Sequence, residues 1–310
     1  MRRWRQRLLV VVGVAAAAGA LLATTFASCP LPEPPALDVA LPAASPPGEM
    51  SIVQLPTGGT HRSAGFAYRG GSWSDKRDFA MTAVLVQHPK GDVLIDTGLG
   101  ADIDRQLELM PAWFRLTTSF TAATPAAAQL DAAGYDRRRL RGIVLTHAHW
   151  DHASGLGEFP NVPVLVPEAE RIFIESGGWI TAVARSATGV HFEAYAFDGP
   201  SYLGFEASYD LHGDGAVVIV PAPGHTPGSV IVFVSLPSGT RYMFLGDLVW
   251  QLEGITEREE RPLIQRTLAD SDPEAVRQLI GKVAAIASRF PEMKLVPAHD
   301  ARGFDGIPPL

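Results

Sequence analysis

The chain has 310 residues, which is long enough for one large α/β domain with a substantial core. Hydrophobic residues make up 46% and charged residues 19% of it, which excludes the low hydropathy of an intrinsically disordered chain. The formal net charge is −7 and no basic stripe runs through the sequence, so we do not expect a nucleic-acid partner.

The first 28 residues are predicted to be a signal peptide. Four arginines precede an apolar stretch at residues 8–23, and small residues follow it. The single cysteine, Cys29, stands in a setting similar to a bacterial lipobox, although Phe26 occupies the place that usually holds leucine. Lipidation at Cys29, ordinary cleavage nearby and a retained membrane anchor all stay open. The sequence thus predicts an exported protein, periplasmic or held at the membrane as a lipoprotein.

Residues 29–50 are predicted to be a proline-rich linker. Prolines are dense there and no hydrophobic period is visible, which indicates a semi-rigid, extended tether that would hold the domain clear of a membrane. A chain with one cysteine cannot form an internal disulfide. The folded domain is therefore predicted over residues 51–310, stabilised by its core and by any bound metal.

Short runs of β-forming residues begin at Ser51 and are separated by turn residues. Residues 80–88 and 92–98 flank a Pro-Lys-Gly turn and are predicted to form a hairpin. Further strands are predicted within six segments, most of which end in a polar or turn motif: residues 141–147, 162–167, 216–225, 229–237, 241–247 and 294–300.

Two helices are predicted with clear ends. One covers residues 125–134 and has Gly134 as its C-terminal cap. The other begins at Ser271 or Asp272 as the N-cap, with Pro273 in the first turn and apolar residues along one face. Strands in two groups with helices beside them favour a layered α/β fold.

One short stretch concentrates metal-binding side chains in the pattern H-x-H-x-D-H, directly after a predicted buried strand. Zinc-type ions take about four ligands, chiefly histidine nitrogens and carboxylate oxygens. Three more candidates follow predicted strands, and a sheet edge would bring such loops to one rim. The motif supplies His147, His149, Asp151 and His152, and the later candidates are His225, Asp247 and His299.

From about Ser51 to its C-terminus, the chain resembles the metallo-β-lactamase-fold hydrolases. The shared features are "THAHWDH", "GHTPGS", "GD" and a late histidine in that order, with "VLIDTG" upstream. The resemblance implies an αββα sandwich, in which two mixed β-sheets flanked by helices carry two divalent metal ions at one edge. Zinc suits the implied ligands best, and iron, manganese or cobalt are alternatives.

The resemblance also implies a role for each motif residue. His147, His149 and His225 would bind the first metal; Asp151, His152 and His299 would bind the second; Asp247 would bridge them, and Asp96 of "VLIDTG" would support the metal-binding loop from behind.

The implied reaction is hydrolysis by a bridging hydroxide. Two cations lower the pKa of a shared water from about 15.7 towards 7, so a nucleophile forms at neutral pH. Asp151 or Asp247 would pass a proton to the leaving group, and the sequence does not choose between them. The predicted substrate is a small molecule, an ester or a lactone.

Within the family the chain is nearest in appearance to the N-acyl-homoserine lactonase group. It has a similar hairpin at residues 82–100 and the full set of ligands, but Trp250 stands where that group usually has tyrosine. An indole offers an N–H and no hydroxyl, so the substrate contact differs. Trp113 and Phe114 are two further substrate-binding candidates, although core packing explains them equally well.

Three other readings stay open from the sequence. The same ligands would also serve β-lactam or phosphodiester hydrolysis, and a non-catalytic metal-binding protein on this fold is a further alternative. A substrate panel separates the enzymes from one another. The oligomeric state is not determined by these motifs.

Overall fold

The computed structural model describes residues 2–310. Over these residues the strands are β1 Ser51–Ser63, β2 Lys76–Gln87, β3 Asp92–Ile95, β4 Thr121–Ala122, β5 Leu140–Val144, β6 Pro163–Pro167, β7 His191–Tyr195, β8 Tyr209–Asp210, β9 Val217–Pro221, β10 Val230–Ser235, β11 Arg241–Gly246 and β12 Lys294–Pro297. The α-helices are α1 Arg2–Phe26, α2 Ile103–Gln106, α3 Ala112–Thr117, α4 Ala126–Ala132, α5 Trp150–Ala153, α6 Glu168–Ser176, α7 Ala182–Ser186, α8 Glu253–Thr256, α9 Leu263–Ala269 and α10 Pro273–Arg289.

The strands form two mixed sheets. The larger sheet has the order β4-β1-β2-β3-β5-β6-β7, antiparallel from β4 to β3 and parallel from β3 to β7. The smaller has the order β12-β11-β10-β9-β8, with only the β11–β12 pair parallel. The predicted hairpin is confirmed, since β2 pairs antiparallel with β3 and Leu85 lies opposite Leu94.

Buried side chains fill three layers. Val86 and Val144 of the larger sheet pack against Ile219 and Phe244 of the smaller one in the central layer. The outer face of the smaller sheet is covered by α10, and the outer face of the larger sheet packs against α4, α6 and their neighbours. Burial on both faces explains why β3 and β9 are almost continuously apolar in sequence, and β5 departs from this pattern at the exposed Arg141. The predicted αββα sandwich is confirmed.

The ends of the two predicted helices are also as expected. Asp272 is the N-cap of α10, and its Oδ1 accepts hydrogen bonds from the backbone N–H groups of Glu274 and Ala275 at 3.0 and 3.1 Å. Gly134 follows α4 with a φ of +67°, which suits glycine. The sequence did not predict α8 and α9, because helices of four and seven residues are too short to show a period.

The proline-rich segment lies along the body instead of standing clear of it. Residues 27–50 contain neither helix nor strand. Three hydrogen bonds to backbone atoms of the segment help to attach it, one of them donated by an arginine side chain, and Leu37 and Leu41 pack against the outer core of the smaller sheet. The bonds join Leu31 N to Arg258 O, Pro42 O to Arg241 Nη1 and Ser45 N to Asp214 O, each at 2.8 Å. An extended backbone leaves its N–H and C=O groups available for such bonds, which composition alone does not reveal.

Two stacked imidazoles join the sheets at the end of β2 away from the "THAHWDH" loop. The rings of His88 and His212 are 3.8 Å apart and inclined by 3°. His88 Nε2 lies 3.1 Å from Asp214 Oδ2, and His212 Nδ1 lies 3.3 Å from Arg141 Nη1. A proton on His212 would place a second positive charge beside the guanidinium of Arg141.

We therefore expect His212 to make the fold sensitive to acid. Burial, then His88 and Arg141, lower the pKa of His212 from 6.5 to about 4. The unfolded chain takes up this proton near pH 6.5, and the folded chain takes it up only near pH 4. The free energy of unfolding therefore falls as the pH is lowered from about 6.5 to about 4. In the variant His212→Gln, the free energy of unfolding should fall by about 2 kcal/mol less over the same pH range. Urea unfolding at pH 7 and 4.5 with a chelator present measures it, with exposed His191→Gln as control. Equal pH dependence in wild type and His212→Gln would contradict this.

Candidate metal centre

All the loops that carry candidate ligands meet at one edge of the sandwich. The H-x-H-x-D-H loop follows β5, and His225, Asp247 and His299 follow β9, β11 and β12. These last three strands run parallel to one another, because β9 and β11 are both antiparallel to β10. Their carboxyl ends therefore open on one rim, and the structure brings all seven predicted side chains together there.

The side chains form two compact clusters. In the first, the ligand atoms of His147, His149 and His225 all lie within 4.8 Å of one another, and His225 Nε2 is 2.9 Å from His149 Nδ1. In the second, the ligand atoms of Asp151, His152 and His299 lie within the same distance. Each cluster is small enough to surround one ion at bond lengths of about 2 Å.

Asp247 lies between the clusters and presents one oxygen to each. Its Oδ2 is 4.0 Å from Nε2 of His147 and 3.5 Å from Nε2 of His225. Its Oδ1 is 3.2 Å from Nε2 of His152 and 3.2 Å from Nε2 of His299. A carboxylate placed in this way can contact ions in both clusters.

Hydrogen bonds behind the imidazoles decide which ring nitrogen faces the centre. A ring whose Nδ1–H donates to the protein keeps Nε2 for a metal. Three of the histidines are held in this way: His152 Nδ1 by Asp96 Oδ2 at 2.7 Å, His225 Nδ1 by Asp270 Oδ1 at 2.9 Å, and His299 Nδ1 by the carbonyl of Ala80 at 2.8 Å.

Asp96 also fixes the start of the histidine-rich loop. Its Oδ1 accepts from the backbone N–H of Thr146 at 2.7 Å, and its Oδ2 accepts from the hydroxyl of Thr146 at 2.8 Å. Its backbone has a φ of +54°, an uncommon value for a residue other than glycine. The contacts are those of a supporting residue behind His147 and His152, the position that the resemblance implied.

The buried polar atoms fit a divalent cation. Nε2 of His147, Nε2 of His152 and Oδ1 of Asp247 are buried, and none has a hydrogen-bond partner among the described residues. Unpaired buried polar groups are costly and rare, so several of them facing one space indicate a bound partner. Nitrogen and carboxylate donors are the ligands that zinc and similar ions prefer.

The protonation states agree with this fit. Burial, together with the neighbouring histidines, lowers the pKa of His147 and of His149 well below 6.5, so both rings are neutral and able to coordinate. Burial also lowers the pKa of His152, but Asp96 and Asp247 more than offset it and raise that pKa well above 6.5. A metal ion bound at Nε2 would take the place of this proton.

Glu170 ties the two histidine loops together, and the sequence analysis missed it. It lies on α6 and is fully buried, and its Oε1 accepts from the backbone N–H of Ala148 at 2.7 Å. Its Oε2 accepts from the hydroxyl of Thr226 at 2.6 Å and from the N–H of Gly228 at 3.0 Å. The signal in the sequence is an acid at the third position after a buried strand, which the first turn of an ordinary helix explains equally well.

Asp270 and Arg261 also support the centre, and the sequence did not predict this role for them. Asp270 holds His225 and forms a buried ion pair with Arg261. The guanidinium of Arg261 also donates to the carbonyls of Asp247 and Leu248. In the sequence, Asp270 stands in a polar run that indicates a helix cap and nothing more.

The indole of Trp250 contacts the centre directly. Its Nε1–H donates to Oδ2 of Asp247 at 2.9 Å. The guanidinium carbon of Arg261 lies 4.9 Å from the centroid of the indole ring. The ring of Phe79 packs edge-on against the indole, with 6.4 Å between the ring centroids. The N–H of Trp250 is therefore engaged with Asp247 in this structure.

Trp113 and Phe114 belong to an aromatic platform, which we define as the exposed Trp113 and the half-buried Phe114, Trp150 and Trp179. The ring centroid of Trp179 lies 5.4 Å from those of Trp113 and Phe114, and the ring centroid of Phe114 lies 5.9 Å from that of Trp150. Trp113 is 46% exposed, so core packing does not account for it. Trp150 directly follows His149, so the platform starts beside the candidate metal ligands.

The sandwich and its histidine and aspartate clusters define a metal-dependent hydrolase. Residues 78–299 match the family model described as the metallo-beta-lactamase superfamily. The chain belongs to the metallo-beta-lactamase superfamily.

Relatives and a solved structure agree with this membership. The chain is 30% identical over 237 residues to "Probable metallo-hydrolase Rv2300c" of Mycobacterium tuberculosis, covering 70% of this chain and 73% of the relative. It is 25% identical over 226 residues to "N-acyl homoserine lactonase AttM" of Azorhizobium caulinodans, covering 70% and 80%. A solved N-acyl homoserine lactone hydrolase with N-hexanoyl-L-homoserine at its catalytic metal centre shares the fold, with a TM-score of 0.64, 16% identity and coverage of 84% and 96%.

Proposed function

We propose that this hydrolase uses two divalent metal ions, most simply zinc, to open a small ester or lactone. The observation that carries the proposal is Asp247, whose two oxygens face different clusters. One ion would be held by His147, His149, His225 and Oδ2 of Asp247, and the other by Asp151, His152, His299 and Oδ1 of Asp247.

Ions in these positions supply Lewis acidity, which lowers the pKa of a water molecule and polarises a substrate carbonyl. The protein's own residues supply orientation and a proton path. Asp151 lies 3.4 Å from His299 through Oδ2, and its side chain is 11% exposed against 5% for Asp247. Both oxygens of Asp247 face histidines, so Asp151 is the carboxylate better placed to pass a proton to the leaving alkoxide.

The surroundings of the centre favour a substrate with an apolar chain. The aromatic platform begins with the half-buried Trp150 next to His149 and extends to the exposed Trp113, and such rings bury alkyl groups favourably. A relative is named as an N-acyl homoserine lactonase, and a structural neighbour holds N-hexanoyl-L-homoserine. A lactone with an acyl chain matches both features.

Truncating the platform should affect long acyl chains more than short ones. The variant Trp113→Ala should raise KM for a lactone with a ten-carbon acyl chain about tenfold, because loss of contact with two methylenes costs about 1.5 kcal/mol. Its KM for a four-carbon chain should change little. Steady-state kinetics across a chain-length series measures this, with Leu116→Ala, a solvent-facing residue of α3, as control. An equal change for both chains would refute the platform's role.

The proposal as a whole is tested on the purified full chain. Metal analysis should find about two ions per chain. A panel of acyl lactones, nitrocefin-type lactams and bis-phenyl phosphates should show lactone turnover that a chelator abolishes and added zinc restores. One ion per chain would overturn the dinuclear centre. Preferred turnover of a lactam or a phosphodiester would overturn the substrate class, and a fully metallated but inactive chain would favour a binding protein.

A further inference from the structure

The end of α1 is built into the folded body. Thr25 is only 2% exposed, and the backbone N–H of Gly70 donates to the carbonyl of Phe26 at 2.8 Å. Arg69 donates to the carbonyl of Thr24 at 3.1 Å and to that of Ala27 at 2.9 Å. The last carbonyls of a helix lack internal partners, and here two residues of the body supply them.

Two further contacts depend on the same segment. Glu259 is 2% exposed, and its two oxygens each lie 3.0 Å from the backbone nitrogen of Cys29, while the hydroxyl of Ser28 donates to Oε1. Among the described residues no basic side chain forms an ion pair with Glu259. The ring of Phe26 meets Trp73 edge-on at 4.9 Å. Removal of the residues before Cys29 would take both carbonyl partners from Arg69, the ring partner from Trp73 and the Ser28 hydroxyl from Glu259, which would keep only its contact with the nitrogen of Cys29.

Exposed apolar side chains surround the place where α1 leaves the body. We define the collar as Phe66, Trp73, Ile264 and Leu268, which are 38, 49, 47 and 52% exposed. Phe66 and Trp73 lie against Phe26, and Ile264 and Leu268 belong to α9, which packs beside α1. An apolar surface of this kind on a soluble protein marks an interaction site.

The length and composition of α1 indicate what kind of surface covers the collar. Residues 9–26 of α1 are long and apolar enough to cross a membrane. They span about 27 Å, close to the roughly 30 Å hydrocarbon core of a bilayer. The four arginines near the N-terminus stand at the far end, and basic residues stay on the cytoplasmic side. The collar carries two aromatic rings at the near end, where such rings prefer the membrane interface.

We infer that α1 is retained as a transmembrane anchor and that the collar rests on the outer face of the same lipid bilayer. Of the three fates that the sequence leaves open for Cys29, this selects the uncleaved anchor. The exposed face of α9 then touches lipid, and in the chain α9 lies between Arg261 and Asp270, the two residues that support His225. The inference does not depend on which bond the enzyme hydrolyses.

The first test is the intact mass of the wild-type protein extracted from the membranes of a producing bacterium. We expect a chain that still contains α1 and carries no lipid. A chain that begins at Cys29 with a covalent lipid, or a water-soluble chain cut elsewhere between residues 23 and 30, would overturn the anchor.

The second test probes the collar. Because Cys29 is the only cysteine, Cys29→Ser gives a cysteine-free full chain in which a fluorophore can be placed at one site. We would label Ile264→Cys and, as a matched control, Ile172→Cys on α6, since the two isoleucines are 47 and 51% exposed. In phosphatidylcholine vesicles, spin-labelled lipid should quench the probe at 264 several-fold more than the probe at 172. Equal quenching would overturn contact between the collar and the bilayer.

Discussion

Replacing Asp247 with asparagine should lower kcat/KM for lactone hydrolysis about 1,000-fold. In the wild type, one carboxylate oxygen faces His147 and His225 and the other faces His152 and His299. The amide of asparagine is neutral and has only one oxygen, so it cannot present negative charge to both clusters. Metal content should fall from about two ions per chain towards one. Steady-state kinetics and metal analysis on the same preparation measure both effects.

A matched control separates this effect from general damage. Asp305→Asn removes an exposed carboxylate that belongs to neither cluster and should leave kinetics and metal content unchanged. Thermal unfolding of both variants with a chelator present shows whether the fold is intact. A variant at Asp247 that retains full metal content and the wild-type rate would rule out its bridging role.

Replacing Glu170 with alanine should lower the free energy of unfolding by about 3 kcal/mol. The change leaves the N–H groups of Ala148 and Gly228 and the hydroxyl of Thr226 buried without their acceptor. Because these groups lie beside His147 and His225, kcat/KM per folded molecule should also fall, by about tenfold or more. Urea unfolding and kinetics at a temperature where both proteins are folded provide the measurements.

The same helix offers the control for this variant. Glu175 lies on α6, pairs with Arg171 at the surface and has a side chain that is 64% exposed, so Glu175→Ala should change stability by less than about 0.5 kcal/mol. If both variants lose the same stability, Glu170 does not tie the loops together. If Glu170→Ala unfolds more easily but keeps its full rate, its role is structural only.

Much of the fold could be predicted because its signals are local. The apolar runs of β3, β5 and β9, the hairpin between β2 and β3 and the N-cap Asp272 each lie within a few consecutive residues. The spacing of the apolar residues along one face of α10 is likewise a local pattern. The short helices α8 and α9 and the docking of residues 27–50 had no such signal, since each depends on contacts with distant parts of the chain.

The candidate site divides in the same way. The H-x-H-x-D-H motif is visible because its four residues are close in sequence, and the later ligands were found by their position after strands. Glu170, Asp270 and Arg261 were missed because their partners lie 9 to 58 residues away. Export and the metal-binding role of each residue stay predictions.

The sequence by itself determined the residue types at the centre, the strands that deliver them and the membership of a hydrolase superfamily, because these are recorded in local spacing and order. The tertiary structure decided how the pieces act together. It placed Asp247 with one oxygen towards each cluster, turned the N–H of Trp250 onto that carboxylate and joined the end of α1 to Arg69 and Glu259. These arrangements depend on distances between residues far apart in the chain, and only packing sets such distances.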